Sequence, residues 1–310
     1  MRNMIKAPNA VRRVRKRSLG YEDKRLGILL IMPIVIFMIF LVAYPLVNLF
    51  ILSFQNSNML TNVTKFVYFN NFRSILSNND FWEALINTFI FSIGTLIPSA
   101  VLGTISALIL NKEMPARSFI RAFVIFPYIV PMVVAAALFK YMFNDLIGIL
   151  DHLIIILGIS DSSINLFGNY NLAMLGVVFV SVWKYAPMVM IAVLGRIQTI
   201  PGQLYEAAQI DGCNGWKSFW KITFPYIQQV LIVVMLMRFI WLFNKWDIIY
   251  LLTGGGPLDA TATLPMLLYS EAFSSYNLGK AAAIGVLMFV ILAIISKVFF
   301  SINERAERRL

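Results

Sequence analysis

Six runs of apolar residues, each long enough to cross the hydrocarbon of a bilayer, limit what this chain can fold into. They read as 26–54, 84–110, 119–143, 172–194, 229–252 and 281–302. A helix needs about 20 predominantly apolar residues to span that layer, so the expected fold class is all-α, a polytopic membrane protein of about six transmembrane helices. Composition agrees: 59% of the 310 residues are hydrophobic and 13% are charged, where a soluble domain carries about a quarter charged residues. The first run is too long for the core of a cleaved signal peptide and has no small-x-small exit, so it is expected to remain as an anchor. Pro33, Pro45, Pro98, Pro127, Pro131 and Pro187 fall within the runs, with Gly94 and Gly103. Membrane helices tolerate proline where neighbours satisfy the freed carbonyls. Kinked helices are therefore expected, around a translocation pathway or as packing irregularities.

The formal net charge of +11 invites a nucleic-acid reading, but the placement of the charges argues for a membrane one. Residues 1–25 carry nine basic side chains (Arg2, Lys6, Arg12, Arg13, Arg15, Lys16, Arg17, Lys24 and Arg25) against Glu22 and Asp23. The connection between the second and third runs holds Lys112, Arg117 and Arg121; that between the fourth and fifth holds Arg196, Lys217 and Lys221; the C-terminal end holds Arg305, Arg308 and Arg309. The alternate connections are acidic or nearly neutral, with Asp145, Asp151 and Asp161 in 144–171, Asp259 and Glu271 in 253–279, and only Lys65 and Arg73 as bases after the first run. The positive-inside rule puts both termini in the cytoplasm. The expected organisation is a basic cytoplasmic arm (1–25), a transmembrane domain (26–302) and a short cytoplasmic tail (303–310).

One polar stretch, YEAAQIDGCNGWKSFWKITFP at 205–225, lies on the side the basic loops assign to the cytoplasm. Ile200-Pro201-Gly202 signals a turn before it. Glu206, Ala207, Ala208, Gln209 and Ile210 form helices well, and Glu206 is expected in the first turn, where a carboxylate complements the dipole. Gly212 and Asn214-Gly215 break that helix. A second short amphipathic helix is predicted to carry Trp216, Phe219, Trp220 and Ile222 as far as Pro225. The result is a compact knob with apolar side chains on view, suited to docking on another protein.

The string Glu206-Ala207-Ala208, Gly212 and Ile222-x-x-Pro225 resembles the EAA motif of the membrane subunits of binding-protein-dependent ABC importers, departing only at Phe224, where Leu is usual. The resemblance implies that 205–225 is a coupling helix seated in a groove on the ATP-hydrolysing subunit. It assigns that role to Glu206, Ala207, Ala208, Asp211, Gly212 and Pro225. Further likeness lies in 126–144 (FPYIVPMVVAAALFKYMFN), 182–190 (VWKYAPMVM) and 242–264 (LFNKWDIIYLLTGGGPLDATATL), which resemble the carbohydrate-uptake, maltose-permease-like branch. It covers nearly all of 26–302, which would then be the ABC permease domain. The extra N-terminal spans and large outer domain of the best-known maltose subunit have no counterpart in this sequence, so expectations about them are not carried over.

Charges inside the runs mark candidate substrate contacts. Lys184 stands between Trp183 and Tyr185; Arg238, Lys245 and Asp247 accompany Trp241, Asn244 and Trp246. An ionisable group in a membrane helix costs about 2.5–3.5 kcal/mol on insertion scales, so it usually faces a cavity or a partner. At about 100° per residue, Arg238, Trp241, Asn244, Lys245 and Ile248 share one face roughly 120° wide, with Asp247 beside it. Aromatic rings beside hydrogen-bonding groups suit a sugar. The structural alternatives are that Lys245 pairs with Asp247 and that Lys184 pairs with a carboxylate on a partner. The resemblance implies sugar contacts at Trp183, Lys184, Tyr185 and Asn244; geometry adds Trp241, Lys245 and Asp247. The excess of Lys184, Arg238 and Lys245 over Asp247 keeps an anionic sugar among the candidates beside neutral oligosaccharides.

Other chemistry finds little support. Gly254-Gly255-Gly256-Pro257 lacks the Gly-Lys-Ser/Thr ending of a phosphate loop and reads as a flexible outer turn; the resemblance places it toward the delivery protein. No Walker motif occurs, so the chain is not expected to be an enzyme or to hold a cofactor, with ATP and Mg²⁺ bound by partner ATPase subunits. His152, the single histidine, has no Cys or Glu at ligand spacing, and Cys213, the single cysteine, reads as a small apolar filler; no catalytic or metal-binding residue is expected. The resemblance implies a permease of the bacterial plasma (inner) membrane that moves an oligosaccharide or sugar derivative by alternating access. Its expected partners are a second similar permease, two ATP-binding cassette subunits, an extracytoplasmic solute-binding protein and the lipid bilayer, with no nucleic acid. The rival is a secondary sugar carrier driven by an ion gradient, for which Asp247 is the sole acidic relay candidate; a membrane enzyme would need a nucleophile–base pair that is not in evidence.

Overall fold

A computed structural model describes residues 21–61, 64–158 and 163–307. The basic arm before Tyr21, Asp161, and Arg308 and Arg309 of the tail lie outside the described residues. The chain divides into two units, Met1–Leu49 and Phe50–Leu310. In the first, helix α1 (Tyr21–Met38) passes through a π-helical turn, Ile39–Ala43, into α2 (Tyr44–Ser53), which crosses the boundary. Pro45 has no N–H to donate, and the wide turn just before it takes up the interrupted ladder, with the Tyr44 N–H reaching back to the Ile39 carbonyl. The span Lys24–Ser53 has a mean hydropathy of 3.1.

The second unit opens with a two-stranded antiparallel ribbon, β1 (Gln55–Ser57) on β2 (Thr64–Phe66), with Gln55 opposite Phe66. Then come α3 (Asn70–Leu76), α4 (Asn79–Asn111), α5 (Arg117–Ile129), α6 (Met132–Met142), α7 (Ile149–Ile156), α8 (Ala173–Ile197), α9 (Gly202–Ile210), α10 (Gly215–Ser218), α11 (Phe224–Phe243), α12 (Asp247–Leu252), α13 (Leu264–Tyr269) and α14 (Leu278–Glu307). Among the described residues five continuous helical stretches are long and apolar enough to cross a membrane, or six if the bent pair α5 and α6 is counted as one span. The protein is a multi-pass, all-α membrane protein.

Helices α4 and α8 form the centre of this unit. Ser92, Thr95, Ser99, Gly103 and Ala107 make a buried stripe of small residues along α4, the means by which membrane helices approach closely. At Gly103 a Cβ would lie 2.7 Å from the Val189 Cβ and 2.8 Å from the Ala186 carbonyl on α8. Phe91, Phe139, Val177, Val180, Tyr185, Ile248 and Ile249 close a core where α4, α6, α8 and α12 meet. Val189, Met190, Val193 and Ile227 close another toward the far end of α8.

Three expectations need correction. The third run does not form one helix: α5 and α6 meet at 95° across Val130-Pro131, because proline disfavours a helical conformation in the residue before it and cannot itself continue the ladder. The fifth run is also broken, with α11 ending at Phe243 and α12 beginning at Asp247. Conversely, the second helix of the polar knob does not stop at Pro225. A π turn, Phe219–Thr223, with the Phe224 N–H bonded to the Phe219 carbonyl, carries it into α11 and makes one rod, Gly215–Phe243, of 29 residues.

Candidate functional site

The break between α5 and α6 creates the demand that Lys184 meets. In a continuous helix the N–H of residue 131 would bond the carbonyl of Pro127; with proline at 131 that carbonyl loses its donor. The Val130 carbonyl lies at the same break. Lys184, on the neighbouring α8, is buried, and its Nζ donates to the Pro127 carbonyl at 3.4 Å and, more closely, to that of Val130. Within the chain its ammonium is thus met by main-chain oxygens. The next residue, Tyr185, turns to the opposite task.

Tyr185 contributes to a cleft of about 420 Å³, lined by Tyr128, Arg238, Trp241, Asn244 and Lys245 over Ile240 and Leu242. The Arg238 guanidinium lies 4.1 Å from the Tyr185 ring centre and 5.9 Å from that of Trp241, and Lys245 Nζ lies 5.8 Å from the Tyr185 ring. These are cation–π distances. Lys245 Nζ also pairs with Asp247 Oδ1 at 3.1 Å, so the pairing raised as an alternative is present. Asn244 caps α11 and donates its side-chain amide to the Ile240 carbonyl at 2.9 Å, leaving its amide oxygen open.

Of the expected contacts, Tyr185, Trp241, Asn244 and Lys245 meet in the cleft. Trp183 packs edge-on against Phe139, with ring centres 5.0 Å apart. Asp247 begins α12 and accepts from the Ile248 N–H at 2.9 Å. The helical-face argument fails beyond Phe243 because the helix ends there: Ile248, expected beside Lys245, is wholly buried in the core. Arg238, one of the in-span charges marked as candidates, also lines the cleft, and Tyr128, which was not expected there, joins it. An unpaired charge inside a span was the signal for Arg238; Tyr128 has none in the sequence, since only the break after it brings α5 to α11.

The polar knob is built as two helices about a glycine turn. Gly212 has φ +73°, the left-handed conformation that ends helices; the Cys213 N–H bonds the Ala208 carbonyl at 2.8 Å and the Gly212 N–H that of Gln209, the paired bonds of a Schellman cap. The Asn214 side chain then caps α10 by accepting from the Lys217 N–H at 2.9 Å. Tyr205 Oη and Thr223 Oγ1 lie 2.8 Å apart, tying α9 to the π turn. Glu206 is exposed but falls in the second turn of α9, since the helix starts at Gly202, so the first-turn dipole argument does not hold for it. Ala207 and Asp211 are exposed, and Ala208 and Pro225 are half-buried. Ile210, 87% exposed, and Trp216, 70% exposed though its ring meets those of Phe219 and Trp220, form an apolar tip.

The glycine turn after α12 is tied down rather than loose. Thr253 Oγ1 and Thr261 Oγ1 lie 2.7 Å apart, Thr261 Oγ1 donates to the Gly256 carbonyl at 3.0 Å, and Asn87 on α4 donates to the Ala262 carbonyl at 3.1 Å. Among the described residues no three His, Cys, Asp or Glu side chains cluster as a metal site would require.

Comparison with known proteins bears on all of this. The family model described as the inner membrane component of binding-protein-dependent transport systems matches residues 99–310. The chain is 34% identical over 290 residues to the trehalose/maltose transport system permease protein MalF of Thermococcus litoralis, covering 93% of this chain and 96% of that one. It is 35% identical over 275 residues to the inner membrane ABC transporter permease protein YcjO of Escherichia coli, covering 88% and 92%. The fold matches a chain of a bacterial alginate ABC transporter, solved in complex with an alginate pentasaccharide-bound periplasmic protein, at a TM-score of 0.80 and 19% identity, covering 92% of this chain and 96% of that one.

Proposed function

This chain belongs to the family of inner membrane components of binding-protein-dependent transport systems, and from that premise we propose how it works. It is the permease subunit of an ABC importer rather than an ion-driven carrier. The solute is a saccharide, held in passing by the cleft between α5, α8 and the end of α11. The observation that carries this reading is the cleft itself: Tyr128, Tyr185 and Trp241 offer flat apolar faces, and Arg238, Asn244 and Lys245 bring polar groups to the same space. Sugars present both surfaces. The likeness to a trehalose/maltose permease points the same way. Trp183, Lys184 and Asp247 act one step back, by packing, by bonding the α5–α6 break and by holding Lys245.

The chain is placed in a bacterial plasma membrane with both termini and the knob at 205–225 in the cytoplasm, as its basic loops favour. In this reading 1–25 is a basic cytoplasmic arm, 26–302 the permease domain and 303–310 a cytoplasmic tail. Ile210 and Trp216 dock with the motif residues Glu206, Ala207, Ala208, Asp211 and Gly212 on one of two ATP-binding cassette subunits, which hold ATP and Mg²⁺. Pro225 sets the π turn that joins the docked end to α11. A force on the knob is thereby delivered along a single 29-residue rod whose far end bears Arg238 and Trp241 and is capped by Asn244. A second permease completes the pathway and a solute-binding protein supplies it from outside. ATP binds the two states of the assembly unequally, and that difference drives alternation.

The test is uptake by the complete importer in proteoliposomes. Glu206→Lys and Gly212→Asp are each expected to reduce ATP-driven uptake to background while the chain still inserts in the membrane. Undiminished uptake in both variants, or uptake by the purified chain with no ATPase subunit present, would refute the coupling.

A further inference from the structure

The Arg238 guanidinium is the point at which the cleft is chemically incomplete. Arg238 is 4% exposed and sits within a membrane span, yet among the described residues no carboxylate pairs with it. The acid close by, Asp247, is already committed to Lys245 at 3.1 Å. Nη1 makes only a long contact of 3.9 Å to the Met188 sulfur, and Nη2 is buried with no hydrogen-bond partner. The Tyr185 hydroxyl, under the same cation, is likewise buried and unpartnered. Stacking on Tyr185 at 4.1 Å steadies the charge but satisfies none of its N–H groups. A buried charge lacking a counter-charge is strongly unfavourable, and an intramembrane ionisable residue usually marks a ligand path or a partner.

The cleft that Arg238 lines is also biased toward donors. Lys245 and Tyr185 face it, and one of the two Asn244 amide hydrogens is engaged with the Ile240 carbonyl. Lys184 does not add to this bias, because the carbonyls of the α5–α6 break occupy it. We propose that the cleft selects an anionic saccharide, whose carboxylate, sulfate or phosphate is met by the Arg238 and Tyr185 donors while the aromatic rings hold the ring faces. Guanidinium favours such oxyanions through its planar fork of N–H groups. The proposal rests on the reading of this chain as a saccharide permease.

The experiment is competitive uptake by the complete importer in proteoliposomes. The probes are matched pairs: oligouronates against their carboxyl-reduced forms, and sulfated and phosphorylated oligosaccharides against the same sugars without the group. At least one charged member is expected to be taken up about tenfold faster than its neutral partner. In Arg238→Met that preference should fall to about one, and in Arg238→Lys to an intermediate value, which also serves if the methionine variant fails to fold. An active importer that takes up neutral members as fast as charged ones in every pair overturns the proposal and leaves the saccharide reading intact. So does loss of the second permease from purified Arg238→Met complexes with the charge preference retained, since the guanidinium would then pair across the subunit boundary. An importer that hydrolyses ATP but passes no saccharide of either kind removes both readings.

Discussion

At Lys184 a basic side chain in the middle of a span donates to main-chain oxygens of the same chain. The two acceptors belong to a break that Pro131 enforces, so lysine and proline, 53 positions apart in the chain, answer one another. Removing the donor leaves part-buried carbonyls short of a partner, at a cost of up to roughly 1–3 kcal/mol. Lys184→Met is therefore expected to lower the thermal unfolding midpoint of the purified complex by several degrees, whereas Lys184→Arg, which can still donate, should recover most of the loss. Equal midpoints for Lys184→Met and the parent would show that the contact contributes nothing. At Gly103 the constraint is steric: the Ala186 carbonyl stands 2.8 Å from where a Cβ would be, so Gly103→Leu must push α4 off α8. Overpacking of this kind costs about 1–3 kcal/mol or more, and should appear as a reduced yield of folded protein in detergent. The charges themselves were legible in the sequence, but their partners were not, because Pro127 and Val130 reach Lys184 only through the packing of α5 on α8.

Among the elements, the knob and α11 form one piece. Helix α9 ends at a glycine with φ +73°, a conformation that side chains with a Cβ adopt only at a cost of about 1 kcal/mol. Gly212→Ala has open space around the new methyl group, so its penalty is conformational alone. It should weaken the cap modestly and leave the complex assembled, in contrast to Gly212→Asp, which adds a charge to the docking face. Pull-down of the ATPase subunit by the two variants separates these effects; equal loss in both would mean that the backbone turn, not the surface, governs docking. The spacing of Trp216, Phe219 and Trp220 correctly marked a helix. It did not reveal that the helix runs on through Pro225, since a proline ordinarily reads as a boundary and only a π turn lets the rod absorb it.

For the whole molecule, the arrangement predicts a sidedness that the native sequence can report. Cys213 is the only cysteine and lies half-buried in the knob. A membrane-impermeant maleimide should label it in inside-out vesicles and not in right-side-out ones, and assembly with the ATPase subunit should slow that labelling. Labelling from the outside would invert the topology and remove the coupling role from 205–225.

Composition within short windows was enough to set the hydrophobic layout of the fold: five or six apolar crossings, their approximate limits and the motif that marks the knob. A bilayer enforces those features whatever the helices later do. Where the spans break, and which polar groups then meet, was settled only by packing. A helical wheel carried through 229–252 set Lys245 and Ile248 on one face; the end of α11 at Phe243 sent the first to the cleft and the second to the core. Tyr128, Arg238 and Tyr185 come from three different helices, α5, α11 and α8, and the first of these turns by 95° into α6 at the proline break. A sequence window registers a proline, but the carbonyls it frees are satisfied by whichever neighbour packs beside them, and that is decided only in three dimensions.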